Sequence, residues 1–218
     1  ARNYFPGIIL YQAGSNSLHQ TLKEVQWAQE YGADAILSLP PYYFNSAPKQ
    51  GIIDFFQTIS DNISIPLILY NFPLHTGNPL DKSMLRSISH FGLKDSSANS
   101  ELIPYTPHYY VGGDRHILST HNAGGYGCIT AHANQIPWIY SAIEEALHEK
   151  NHEKALQYQS IIDSISSVYR SSNQIAMIKY TLSQRIPGYP ARMRLPLQPP
   201  SNEEKNRIKL FLNQYVKP

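Results

Sequence analysis

Short apolar runs alternate with amphipathic segments along residues 7–131, and this alternation constrains the fold more than any single residue does. The runs cover 7–13, 33–39, 66–70, 91–94, 109–112 and 127–131, and each has the length of a buried strand. Between the first two, Ser17-Leu18-His19-Gln20 has the Ser-x-x-Gln form of a capping box. Leu18, Leu22 and Val25 then keep helical spacing until Gly32 supplies a stop. The same spacing predicts helices over 51–62 (Ile52, Phe55, Phe56, Ile59) and 80–90 (Met84, Leu85, Ile88). Strand–helix–strand units of this kind pair their strands in parallel.

After Asn134-Gln135-Ile136-Pro137 the pattern changes: 138–150, 153–169, 174–184 and 203–216 read as helices with no strand between them, and 187–200 as a proline-rich turn region. The expected fold class is α/β, a (β/α)8 TIM barrel of which this chain supplies strands three to eight, plus a C-terminal helical extension. Residues 1–137 would carry the barrel strands, and 138–218 the last barrel helix and a helical cap of the same domain. Such a barrel takes eight strands and about 250 residues, so the first two βα units are expected to be missing ahead of Ala1.

Composition narrows the function. With 218 residues and 42% hydrophobic side chains the chain can bury the core of one large domain. The net charge of +2 comes from interspersed charges, without a basic run interleaved with aromatics, so nucleic acid is not an expected partner. No apolar run approaches the roughly 18 residues needed to span a bilayer. The segment Ala1-Arg2-Asn3-Tyr4 lacks a signal-peptide core, so no membrane partner is expected and the expected location is the cytoplasm. Cys128 reads as a small buried hydrophobe in a reducing compartment. His116, His121 and His132 lack metal-ligand spacing and read as surface or rim groups, so no metal is expected. The turn Gly124-Gly125-Tyr126-Gly127 precedes a strand instead of opening a helix, which argues against a phosphate loop. Arg192 and Arg194, set among prolines, read as anchors of the helical tail.

In a parallel barrel the reactive groups sit at the C-terminal ends of the strands. Tyr42 and Tyr43 close the second predicted strand, Tyr70 the third and Lys94 the fourth. An amine attacks a carbonyl only when unprotonated, so an imine-forming lysine must have its pKa lowered from about 10.4 toward roughly 7 to 8. Phenols beside it can pass protons between carbinolamine, imine and enamine.

Pro41-Tyr42-Tyr43, the run Tyr70-Asn71-Phe72-Pro73-Leu74-His75-Thr76-Gly77, Gly92-Leu93-Lys94-Asp95, Gly113-Asp114, Gly127-Cys128-Ile129-Thr130 with Asn134, and Arg194-Leu195-Pro196-Leu197 together span nearly the whole chain. In these elements the chain resembles the pyruvate-dependent class I lyase family containing dihydrodipicolinate synthase, N-acetylneuraminate lyase and 2-keto-3-deoxygluconate-type aldolases. The resemblance implies that Lys94 forms an imine with pyruvate and that Tyr70 is the acid/base beside it. It implies that Tyr43, or alternatively Tyr42, is lent across a dimer interface within a homo-oligomer, a dimer of dimers. The Ile129 backbone would lie against the keto acid, with Thr76, His75 and Tyr42 around the substrate. No metal or organic cofactor is implied, because the protonated imine is the electron sink. The family's Thr-Thr or Ser-Thr turn, which holds the pyruvate carboxylate, has no counterpart here. His75 stands where dihydrodipicolinate synthases place an arginine, and an imidazole lacks that permanently charged planar fork. These surroundings resemble the sugar-acid branch more closely. The expected activity is a Schiff-base aldolase joining pyruvate to an aldehyde, or cleaving a 2-keto-3-deoxy sugar acid. The alternatives are dihydrodipicolinate synthesis and a catalytically silent keto-acid-binding paralogue.

Overall fold

A computed structural model describes residues 2–170 and 173–215. They fall into two compact units divided between Ile129 and Thr130. The first runs β1 (Leu10–Ala13), α1 (Leu18–Glu30), β2 (Ala35–Ser38), α2 (Lys49–Asp61), β3 (Leu67–Asn71), α3 (Pro73–Thr76), α4 (Lys82–Ser87), β4 (Gly92–Asp95), β5 (Tyr109–Val111), α5 (Ile117–Asn122) and β6 (Gly127–Cys128). The six strands form one parallel sheet in chain order, β1 through β6. All six predicted strands are present, most of them trimmed at their ends. The β4–β5 crossover holds a 3-10 helix, Ser100–Tyr105, in place of an α-helix.

Burial explains which residues form these elements. Ile52, Phe55, Phe56 and Ile59 make the buried stripe of α2, as their spacing predicts, and each such side chain removed from water contributes about 1.5–3 kcal/mol. On α1 the stripe is Thr21, Val25 and Ala28, while Leu18 and Leu22 are only half-buried. Thr21 can be buried because its hydroxyl donates to the Ser17 carbonyl (3.0 Å) and accepts from the Ser15 N–H (3.0 Å). The capping box is half formed: Ser17 Oγ accepts from Gln20 N at 3.4 Å. The Gln20 amide turns to Glu24 instead, and the Ser17 N–H takes the Ser15 hydroxyl.

Tyr42 and Tyr43 do not close β2, which stops at Ser38; they stand in the loop that follows. Residues 127–131 do not form one strand either. Thr130 caps a 3-10 helix, Ala131–Asn134, by accepting from His132 N at 3.2 Å, and this draws the chain out of the sheet. Cys128 is half-buried, since β6 is a two-residue edge strand.

The second unit comprises that 3-10 helix and α6 (Pro137–His148), α7 (His152–Val168), α8 (Gln174–Arg185) and α9 (Asn202–Tyr215). These match the predicted helices. Val216, Ala1, residues 171–172 and residues 217–218 of the expected ranges lie outside the described residues. His132 is not a surface or rim group: it is 1% exposed. Its Nε2 lies 2.8 Å from the Gln174 amide, its Nδ1 3.4 Å from that of Gln135, and its ring tilts against Tyr169. Burial pushes the Tyr169 phenol up to about 12, against the hydrogen bond with Thr181 and the charge of Arg185. This packing ties the 3-10 helix to the helical unit, so the structural division precedes Pro137. Arg192 and Arg194 are exposed, and it is the Arg192 carbonyl that is anchored, by Lys179 Nζ at 2.5 Å. No helix among the described residues is long and apolar enough to cross a membrane.

Asp81 caps α4, accepting from Ser83 N (2.9 Å) and Met84 N (3.0 Å), and pairs with Lys49 at 2.5 Å. Partial burial opposes its charge, but the Lys49 ammonium and these N–H groups outweigh that and hold the carboxyl at about 2. Asp81→Ala should cost about 1 kcal/mol, read as a lower midpoint in thermal unfolding. Because the folded pKa is depressed, the contribution is full above the ordinary carboxylate range and fades as pH falls toward 2. The gap between the variant and the parent should therefore narrow over that acid window.

Candidate active site

Parallel register lines up one row of side chains near the C-terminal ends of three strands: Tyr70 on β3 pairs with Lys94 on β4, and Lys94 with Tyr110 on β5. In each of these strands the residue in this row is the one that is not fully buried. Strand alternation therefore gives Lys94 an accessible face while its neighbours Leu93 and Asp95 are packed away on the other. Lys94 Nζ lies 4.0 Å from the centre of the Tyr70 ring, a cation–π distance. An amine and a phenol held side by side can together carry imine chemistry and its proton transfers.

Behind Tyr70 stands a stack. Phe72 lies nearly parallel to Tyr70 at 5.5 Å, and His75 meets Phe72 edge-on at 4.3 Å. The stack is fixed by the short helix α3, which Gly77 ends with φ +66. A Cβ on Gly77 would stand 2.5 Å from Asn45 Cβ, so glycine is required by conformation and by space. His75 is exposed at the outer end. Thr76 is buried, and its hydroxyl is taken up within the turn, donating to Phe72 O (3.2 Å) and accepting from Asn78 N (3.2 Å). Tyr110 shares the row but its ring leans back over Gly92 and onto Tyr126. Burial first, and the Tyr126 phenol second, raise its pKa.

The opposite face of β4 carries the buried Asp95 carboxylate. Its Oδ1 accepts from Asn71 Nδ2 (2.9 Å), Ser97 N (2.9 Å) and Ser97 Oγ (2.6 Å); its Oδ2 accepts from Asn99 N (2.8 Å) and Tyr109 OH (2.8 Å). Burial and then this carboxylate push the Tyr109 phenol far above its ordinary range. Between the two faces comes Ser96. Its N–H donates to Asn71 O (2.9 Å) and its hydroxyl donates to Tyr70 OH (3.4 Å).

Tyr42 and Tyr43 ride on a loop fastened from two sides. Both of their backbone N–H groups donate to Asn16 Oδ1 at 2.8 Å. The buried Asn78 donates to Pro41 O and Phe44 O and accepts from Ala47 N. The side chains stay outside: Tyr42 is 50% and Tyr43 77% exposed, Tyr43 packing edge-on against Phe44. Ile129 extends the β5–β6 pairing, its N–H on Val111 O at 3.0 Å. The structure thus brings Lys94, Tyr70 and, along the stack, His75 together, and leaves Tyr42, Tyr43 and Thr76 outside that contact. Asp95, Asn71, Asn78 and Ser96 were not singled out from sequence; the available signal was polar residues inside or just after apolar strands. Among the described residues no group of three or more His, Cys, Asp or Glu could hold a metal ion.

A family model for the dihydrodipicolinate synthetase family matches residues 8–215. The chain belongs to that family. It is accordingly a lyase of the dihydrodipicolinate synthetase family. A 4-hydroxy-tetrahydrodipicolinate synthase of Ehrlichia canis is 30% identical over 94% of this chain and 73% of its own length. A probable 2-dehydro-3-deoxy-D-pentonate aldolase, YjhH of Escherichia coli K12, is 30% identical over the same shares, 94% and 73%. Among solved structures, YagE, a prophage protein of Escherichia coli K12 in complex with pyruvate, superposes with a TM-score of 0.85 at 26% identity, covering 95% of this chain and 74% of that one.

Asp95→Ala leaves several buried donors without an acceptor at once, and should destabilise the protein by at least about 3 kcal/mol, measured by urea unfolding. Asp95→Asn should recover part of that loss.

Proposed function

We propose that this chain is a Schiff-base class I aldolase that binds pyruvate on Lys94. One observation carries the reading: Lys94 Nζ and the Tyr70 ring lie 4.0 Å apart, in register on adjacent parallel strands, on the face that is not packed away. Lys94 Nζ attacks the keto carbon. The Tyr70 phenol gives its proton to the carbinolamine oxygen, water leaves, and the nitrogen lone pair closes the imine. The phenolate then removes a proton from the pyruvate methyl group, giving an enamine that adds to an aldehyde; the phenol returns that proton to the new alkoxide, and water hydrolyses the imine to free the product from Lys94. Run backward, the sequence cleaves a 2-keto-3-deoxy sugar acid. No metal or organic cofactor enters these steps, because the protonated imine accepts the electron pair. YagE, 26% identical, was solved with pyruvate, which supports the nucleophile side of the reading.

For the acceptor we favour a sugar-acid aldehyde. His75, exposed at the end of the stack, replaces the expected arginine, and one 30% identical relative is named as a sugar-acid aldolase. Dihydrodipicolinate synthesis is the second reading, favoured by the name of the Ehrlichia canis relative; a coupled assay with aspartate semialdehyde separates the two. Ile129 offers backbone to the keto acid, and Thr76 acts by holding Asn78 and through it the Tyr42–Tyr43 loop. The six strands serve as strands three to eight of a (β/α)8 barrel, and 138–218 supply a C-terminal helical extension. The enzyme works in the cytoplasm as a homo-oligomer, each exposed Tyr43 reaching a neighbouring copy.

Borohydride reduction in the presence of pyruvate should leave a covalent adduct that mass spectrometry assigns to Lys94 and that Lys94→Arg abolishes. Finding the parent protein unmodified would sink the proposal. Tyr70→Phe should keep some adduct but slow turnover about a hundredfold or more. Sedimentation should find an oligomer in the parent and smaller species in Tyr43→Asp.

A further inference from the structure

The proposed chemistry asks Tyr70 to become a phenolate for an instant, and something must make that affordable in a half-buried site. A phenolate is stabilised by a hydrogen-bond donor aimed at its oxygen. The donor that the geometry supplies is Ser96, whose hydroxyl donates to Tyr70 OH at 3.4 Å. That distance is long for a bond between hydroxyls, as is common before substrate tightens a site. Two further contacts fix Ser96 where it is. Its N–H is held by Asn71 O at 2.9 Å, and Asn71 is itself held by Asp95. On its other side, Gly112 is bare: a Cβ there would stand 2.2 Å from Ser96 Oγ and 3.0 Å from Ser96 Cα. The Gly112 N–H is anchored on Asp95 O at 2.8 Å, so this backbone cannot easily back away.

Resting on the reading of Lys94 and Tyr70 above, we propose that Ser96 is a positioning residue that sets the direction of proton transfer through Tyr70. Because Ser96 donates, the phenol oxygen accepts on that side, and its own hydrogen is left to point elsewhere, toward the groups on Lys94. When the carbinolamine oxygen takes that hydrogen and departs as water, the new phenolate keeps the Ser96 hydrogen bond. When the phenolate takes a proton from the methyl carbon, the original bond pattern is restored. Ser96 neither gains nor loses a proton over the cycle. Its effect falls on steps that charge or discharge the phenol, and the pairing of Lys94 with pyruvate at equilibrium does not need it.

Exchange of the pyruvate methyl hydrogens with deuterated solvent, followed by proton NMR, reads enamine formation without any aldehyde acceptor. Ser96→Ala should slow this exchange about tenfold and move the rising limb of its pH profile to higher pH. Borohydride trapping on Lys94 should still go to completion, and the thermal midpoint should hardly move. Ser96→Thr, which keeps the hydroxyl, should restore both rate and profile. Exchange in Ser96→Ala at the parent's rate and pH profile overturns the proposal. Loss of trapping together with exchange also overturns it, because Ser96 would then be supporting Lys94 and not the phenol. A parent protein that forms no adduct with pyruvate would bring down the aldolase reading itself, an outcome distinct from both.

Discussion

A single buried carboxylate organises the sheet around which everything else is placed. Asp95 has no cation beside it among its hydrogen-bond partners; its charge is met by five donors drawn from β3, β5 and the turn after β4. Charge-assisted hydrogen bonds of this kind are among the stronger ones available to a protein, and losing their shared acceptor strands every donor at once. The network fixes the ends of three adjacent strands relative to each other. It does so from the packed face, and the alternation of the strand hands the other face to Lys94. The residue with the chemistry and the residue with the structural load are sequence neighbours for that reason.

A second anchor works at a distance from the first. Asn78 joins the 41–47 loop to the end of the α3 turn, and the Lys49–Asp81 pair continues the seam to the start of α4. Asn71 links the two systems, since its Nδ2 goes to Asp95 while its Oδ1 accepts from Leu80 N at 2.9 Å. The aromatic stack of Tyr70, Phe72 and His75 therefore sits on a turn whose two ends are both secured.

Much of this was readable in the chain, and the exceptions have causes. Hydrophobic patterning marks the six strands and the later helices because burial on parallel strands leaves short continuous apolar runs, and burial of one helix face leaves a helical period. Lys94 and Tyr70 were readable because each ends such a run. Tyr42 and Tyr43 were displaced from the expected strand end, since pairing stops at Ser38 and the backbone beyond it is held by side-chain amides, which leave no periodic trace. His132 looked like a rim group because its burial depends on Gln174, which is distant in sequence. Ser96 and Asp95 carry no signal of their own for a related reason: their partners come from β3, β5 and the turn after β4, and no local spacing announces such a meeting.

The Tyr42–Tyr43 loop has one more implication. It is held through its main chain, by Asn16 and Asn78, while its aromatic side chains stay exposed. Its lettering can therefore drift over generations without disturbing the pose of the loop. Descendants of this scaffold could acquire new association habits, or shed old ones, by exchanging surface rings alone, with the Lys94–Tyr70 pair of the same chain left in place.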